Sequence, residues 1–254
     1  MILLPLLAAA ALAQSTATGP TGPAAPSADR YDRCLALSTT NPAAAEAEAG
    51  QWALAGGDFL ASQCLGMAYS REQRWSAAAA AFEKAATGAE RAKDKQAVNY
   101  WAQAGNAWLA AGDASKARSA LDAALATGTL TGLSLGEAHL DRARAMVAGD
   151  DMENARDDID HALTEVPTDP LAWLLSATLA RRMQEVPRAK KDIAEALRLG
   201  GDDPAVQLEA GNIAALAGDE AGAKAAWHQA VTLRPDSAPG KAAAAALTQF
   251  DAKP

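Results

Sequence analysis

One triplet, small–large–alanine with spacings of four and three residues, recurs five times along this chain and restricts what it can fold into. It reads Ala78, Phe82, Ala85; Ala117, Leu121, Ala124; Ala155, Ile159, Ala162; Ala189, Ile193, Ala196; and Ala223, Trp227, Ala230. Those spacings put all three side chains on one face of a helix. The two alanines let a neighbouring helix come close, and the large residue fills the space between them. The last three copies start at 155, 189 and 223, a period of 34 residues, and the earlier gaps of 39 and 38 imply small insertions. A period of this length signals a stack of short helix pairs, each burying its apolar face only against its neighbours.

A second register lies twelve residues before each triplet, at Gly66, Gly105, Ala143, Ala177 and Gly211. Tiny residues suit a point where the two helices of a pair cross at close range. Three residues further on, Tyr69, Trp108, Met146, Ala180 and Ala214 fill the groove of the partner helix. Ala-Gly-Asp at 111–113, 148–150 and 217–219 supplies a helix stop and then an acidic helix start. Between units, Pro167-Thr168-Asp169-Pro170, Asp203-Pro204 and Pro235-Asp236 use proline, which ends one helix and fits the first turn of the next.

The pattern resembles the tetratricopeptide repeat (TPR) family. That family's small residue at position 8, Ala at 20, large residue near 24, Ala at 27 and Pro at 32 are matched most fully by Gly211, Ala223, Trp227, Ala230 and Pro235. The resemblance implies an all-α fold, a right-handed superhelical solenoid of antiparallel helix pairs, with repeats at 59–92, 98–131, 136–169, 170–203 and 204–237. The third has an extra residue in its turn, and the fourth has Gln184-Glu185 and Pro187 where Gly-Asp is expected. A degenerate pair at 29–57 precedes them. An Ala-rich helix at 239–250, with Ala243, Leu247 and Phe250 on one face, caps the last repeat, so the repeat domain runs from 29 to 250. Armadillo and HEAT units are longer, about 40–47 residues. Pentatricopeptide repeats bind RNA, but a net charge of −8 and a pI near 4.9 leave nothing to neutralise a phosphate backbone, so no nucleic-acid partner is expected.

Residues Ile2 to Ala13 form an apolar run ending Ala11-Leu12-Ala13, which reads as a signal peptide over 1–13. A membrane span needs about 20 apolar residues, so none is expected. Residues 14–28 contain no large apolar side chain and read as a disordered linker. The chain is therefore expected to be exported, to the periplasm. Its two cysteines, Cys34 and Cys64, fall on the first helices of consecutive pairs. An even count in an exported protein suggests a disulfide; the alternative is two buried thiols. The absence of Cys-x-x-Cys excludes thiol–disulfide catalysis.

His139, His161 and His228 occupy repeat positions 4, 26 and 25, and no two of them are three or four residues apart. The repeat geometry therefore predicts that they stay apart, and no metal or cofactor is expected. Asp157-Asp158 reads as solvated charge facing Arg156 and His161. Trp101, Trp108, Trp173 and Trp227 fall at packing positions. There is no Gly-rich phosphate loop and no nucleophile elbow, so no catalysis is expected.

What the resemblance leaves for function is the concave groove, lined by positions 2, 5, 9 and 12 of the first helix of each repeat. The candidate residues are Asn99, Asn106, Thr178 and Asn212, with asparagine amides able to bracket an extended peptide backbone. Arg144, Arg181 and Arg182 make a positive spot suited to a carboxylate or acidic segment. The same arginines could instead pair with acidic residues of the next helix. The lysines of the carboxylate-clamp subset are missing. The expected function is a non-catalytic protein- or peptide-binding scaffold of the cell envelope, or alternatively a non-catalytic accessory subunit of an envelope enzyme complex.

Overall fold

A computed structural model describes residues 26–251, and among them finds thirteen α-helices and no strand. The signal-peptide reading and most of the linker reading fall on residues outside that range. The final residues of the linker, from Pro26, already belong to the first helix.

The helices are α1 (Pro26–Thr40), α2 (Pro42–Leu54), α3 (Phe59–Arg71), α4 (Trp75–Ala92), α5 (Ala97–Ala110), α6 (Ala114–Ala126) and α7 (Gly132–Ala148). They continue as α8 (Met152–Glu165), α9 (Pro170–Arg182), α10 (Val186–Gly200), α11 (Pro204–Leu216), α12 (Glu220–Leu233) and α13 (Ala238–Asp251). Each packs mainly on its neighbours in sequence, and the only strong skip-one contacts join odd-numbered helices: α1 to α3, α5 to α7, α9 to α11, and α11 to α13. The chain is thus an all-α solenoid, with the odd helices along one side and the even helices along the other. No helix among the described residues is long and apolar enough to cross a membrane.

The two sequence registers turn out to be one interaction. A Cβ placed on Gly66 would lie 2.5 Å from the Phe82 ring, one on Gly105 2.4 Å from Leu121, and one on Gly211 2.4 Å from the Trp227 ring. The large residue of these three triplets is therefore seated against the bare backbone of the preceding helix. The flanking alanines, Ala78, Ala85, Ala117, Ala124, Ala223 and Ala230, are all fully buried. Ring and glycine together set the distance between the two helices of a pair.

Helix starts are capped where the chain supplies a short acid. Asp58, Asp113, Asp169, Asp203 and Asp219 each accept a hydrogen bond from a backbone N–H in the first turn of the helix that follows. Gly112 and Gly218 occupy the left-handed region of the turn before, at φ of 78° and 77°. The 148–150 reading requires correction. Asp150 itself holds the left-handed position, at φ 64°, and the N-cap position moves to Asp151, whose carboxylate makes no capping bond and accepts instead from the Arg118 and Asn154 side chains. The extra residue in this turn shifts the register by one, so the acid that looks like a cap takes the place of the glycine.

At the N-terminal end Cys34 of α1 is disulfide-bonded to Cys64 of α3, with Cα atoms 6.1 Å apart and both side chains fully buried. At the other end α13 covers the last pair. Its Ala243 is fully buried, and the Phe250 ring meets Trp227 edge-on with centroids 5.4 Å apart.

Two stability predictions arise. Gly105→Ala gains about 1 kcal/mol of helix propensity but drives a methyl into Leu121. Overpacking costs typically 1–3 kcal/mol, so its urea midpoint should fall. Gly50→Ala in α2, where nothing lies within 4 Å of the new Cβ, should raise it. Replacing both cysteines by serine should cost roughly 3.5 kcal/mol in the chain-entropy account, read as the drop in unfolding free energy.

Candidate functional site

The odd-numbered side of the solenoid carries an open cavity of about 650 Å3 between α1, α3, α5 and α7. Its walls include Leu60, Gln63, Asn99, Ala102, Asn106 and Glu137, all at groove positions of the repeat register. Residues outside that register complete it. Tyr31 comes from α1, Asp94 and Gln96 from the segment joining α4 to α5, and Tyr100, Gln103 and Asp141 from the flanks of α5 and α7. The 39-residue spacing in the sequence marks the insertion that brings Asp94 and Gln96 to this rim, but spacing carries no information about where an insertion points.

A chain of amides runs across the floor. The Tyr31 hydroxyl donates to Gln63 Oε1 at 2.8 Å, and Gln63 Nε2 donates to Gln103 Oε1 at 3.5 Å. Asn99 Nδ2 donates to Gln96 Oε1 at 2.6 Å, and Asn106 Nδ2 to Asp141 Oδ2 at 2.8 Å. These bonds fix the amide orientations. Among the described residues, Asn99 Oδ1, Asn106 Oδ1, Gln103 Nε2 and the Glu137 carboxylate have no hydrogen-bond partner. Burial pushes the Tyr100 phenol above its ordinary range, and the neighbouring Tyr31 and Asp94 reinforce the shift, so the ring stays neutral near pH 7. The cavity carries Asp94, Glu137 and Asp141 and no lysine or arginine.

The seven groove candidates do not form one strip. Asn99 and Asn106 share the large cavity. Arg144, Thr178 and Arg182 border a separate cleft of about 120 Å3 between α7, α8 and α9, otherwise walled by Leu140, Val147, Ile159 and Leu175. Arg181 and Asn212 line neither. The Arg181 guanidinium forks onto Glu209 of α11 at 2.6 and 3.2 Å, and Asn212 donates to Glu209 and accepts from the Trp227 indole. Arg144 pairs with Asp141, one turn before it on the same helix, at 2.9 Å. The positive spot is therefore largely cancelled, and among the described residues Arg182 alone of the three lacks an acidic partner. The cause is the acidity of the chain: carboxylates at neighbouring positions of α7 and α11 take up the guanidinium groups.

On the opposite side lies a polar cluster that the sequence reading did not anticipate. Asp158 of α8 is buried and accepts from Arg142 Nε and Nη2 of α7 at 2.6 and 2.7 Å. Its Oδ1 is also 2.9 Å from His139 Nδ1. Arg142 reaches on to Asp122 of α6 at 2.9 Å. Burial pushes the Asp158 carboxyl up, but the hydrogen bonds from Arg142 and His139 outweigh it and hold the group below the ordinary carboxylate range. So Asp158 is not solvated charge; only Asp157 is exposed. The histidines also require correction. His139 and His161 stack with ring centroids 5.2 Å apart, because positions 4 and 26 lie opposite each other when the two helices of one repeat fold together. A neighbouring network links Arg156 to Ser176 at 2.8 Å, Ser176 to Asp192 at 2.5 Å, and Arg188 to both Asp192 and Asp160, joining α8, α9 and α10.

No family model matches the sequence, and no curated protein does. Solved structures do match the fold. PilW superposes with a TM-score of 0.69 at 15% identity, over 85% of this chain and 96% of its own. PilF of Pseudomonas aeruginosa gives 0.66 at 15% identity, over 87% and 99%. YrrB, a TPR protein, gives 0.56 at 17% identity, over 75% and 92%. The fold is therefore similar to that of TPR solenoids. Identities this low carry the TPR architecture and nothing about the groove.

The pairing of Arg181 makes a direct prediction about its role. Glu209 is buried, so Arg181→Ala strands a carboxylate and should cost about 1–3 kcal/mol. Arg144 forms a half-exposed pair within one helix, and its replacement by alanine should cost under about 0.5 kcal/mol. Parallel urea titrations separate the two.

Proposed function

We propose that this chain is a non-catalytic scaffold of the cell envelope that holds an extended segment of a partner protein in the cavity between α1, α3, α5 and α7. The observation that carries this reading is the set of unpartnered amide and carboxylate groups on that floor. Asn99 Oδ1 and Asn106 Oδ1 can accept from a peptide N–H, and Gln103 Nε2 can donate to a peptide carbonyl. Asp94 and Glu137, with no cation among the walls, favour a segment carrying lysine or arginine; Asp141 is already paired with Arg144. The partner preference is therefore the reverse of the one the arginines suggested.

The fold neighbours are consistent with such a role. PilW is described as a type IV pilus biogenesis factor, and YrrB as having an unusual peptide-binding site. Export is supported by the apolar run at 2–13 and by the Cys34–Cys64 disulfide, which belongs to an oxidising compartment.

Crosslinking in cells, followed by recovery of the envelope fraction, tests the reading. Glu137→Lys and Asn106→Ala should each reduce recovery of the partner by about tenfold, the scale of one lost charged or polar contact at about 1.4 kcal/mol. Arg182→Ala should leave recovery unchanged. A partner that survives Glu137→Lys and Asn106→Ala while losing to Arg182→Ala would move the site to the small cleft. Thiol labelling of denatured, unreduced protein from the same cells should find no reactive cysteine; two reactive thiols would remove the argument for export.

A further inference from the structure

We propose that His139, Asp158 and His161 form a zinc-class metal site that ties α7 to α8. One ligand atom from each residue can be chosen so that all three lie within 4.8 Å of one another. His139 Nδ1 and Asp158 Oδ1 are already 2.9 Å apart. That is the separation of two ligands at right angles around an ion with bonds of about 2.0–2.1 Å. Asp158 and His161 are three residues apart on α8 and so face the same way, a spacing that metal-binding helix pairs use. A search for paired histidines passes over it because the second histidine comes from the other helix.

The third ligand is free to move. His161 is exposed, and apart from its ring contact with His139 its side chain makes no hydrogen bond or ion pair among the described residues. Closing the gap to a ligand spacing near 3.3 Å needs a shift of roughly 1–1.5 Å, within reach of a side-chain rotation. His139 is largely covered, so it supplies a fixed ligand while His161 supplies the opening.

The charge balance admits a dication. Asp122 and Asp158 bear two negative charges against the single positive charge of Arg142, and both imidazoles ligate as neutral rings. A carboxylate offers about four lone-pair sites, and Arg142 takes two on Asp158. The third now faces His139 Nδ1. On binding, the ion occupies the space between Nδ1 and Oδ1, and the imidazole proton resides on Nε2, so the ring stays neutral. Arg142 keeps its two bonds and holds the carboxylate in place, the usual role of an outer partner. Two imidazoles and one carboxylate select zinc and its transition-metal neighbours over calcium or magnesium, which require oxygen ligands.

The test uses the untagged full chain and Zn2+ competed against a chromophoric chelator. The expected result is one ion per chain with micromolar or tighter affinity. At about a hundredfold excess over Kd, zinc should raise Tm by roughly 5–10 °C. His161→Ala, an exposed change that leaves the fold intact by circular dichroism, should weaken binding by at least about tenfold and so remove about half or more of the Tm shift. His139→Ala should do the same, and His228→Ala should do neither. Absence of binding at millimolar zinc, or equal binding by the His161→Ala protein, would overturn the proposal.

Discussion

The solenoid depends on the seating of a large side chain against a small residue of the facing helix, a glycine in three of its five repeats. Phe82 on Gly66, Leu121 on Gly105 and Trp227 on Gly211 bring paired backbones closer than any Cβ would permit. At that distance alanine is large enough to fill the flanks of the contact, which is why a chain with so few big apolar residues still has buried cores. The third and fourth repeats have Ala143 and Ala177 at the glycine position and Ile159 and Ile193 in place of the ring. Here a smaller branched side chain meets a methyl group, and polar networks do more of the joining.

Those networks divide the molecule chemically. Between α6 and α10, buried or half-buried ions reach from one helix to the next through Arg142, Arg156, Arg188, Asp158 and Asp192. Buried charges of this kind add little net stability, because desolvation offsets most of the attraction, but they penalise any other register strongly. The cavity between α1 and α7 has the opposite character. Its polar groups are only partly satisfied by the protein, and the disulfide between α1 and α3 fixes the helix that forms its outer wall. Rigid walls around unsatisfied amides reduce the ordering cost of holding an extended chain.

The fold was legible because its determinants are periodic. Residue size at positions 8, 20, 24 and 27 repeats whether or not the helices are seen, and Asp113 or Asp219 after a glycine marks a helix start by local chemistry alone. Turn details failed where the period slipped: one added residue turned Asp150 from a cap into the left-handed residue of its turn. The site was less legible. Asn99 and Asn106 line the cavity at positions the register marks, whereas Asp94, Gln96 and Tyr31 come from an insertion and an end pair that the register does not cover.

By itself, then, the sequence determined that the chain would be a stack of helix pairs, which faces would be small, and that acid would dominate its surface. Tertiary structure decided which charges remain available. Arg181 and Arg144 look alike in the sequence, yet one is neutralised across a repeat boundary and the other within its own helix. His139 and His161 are 22 residues apart in the chain, yet stack because antiparallel pairing returns position 26 to the level of position 4. Pairing of charges and convergence of ligands depend on distances between helices, and those distances exist only once the small residues of each pair, glycine or alanine, have let the helices close.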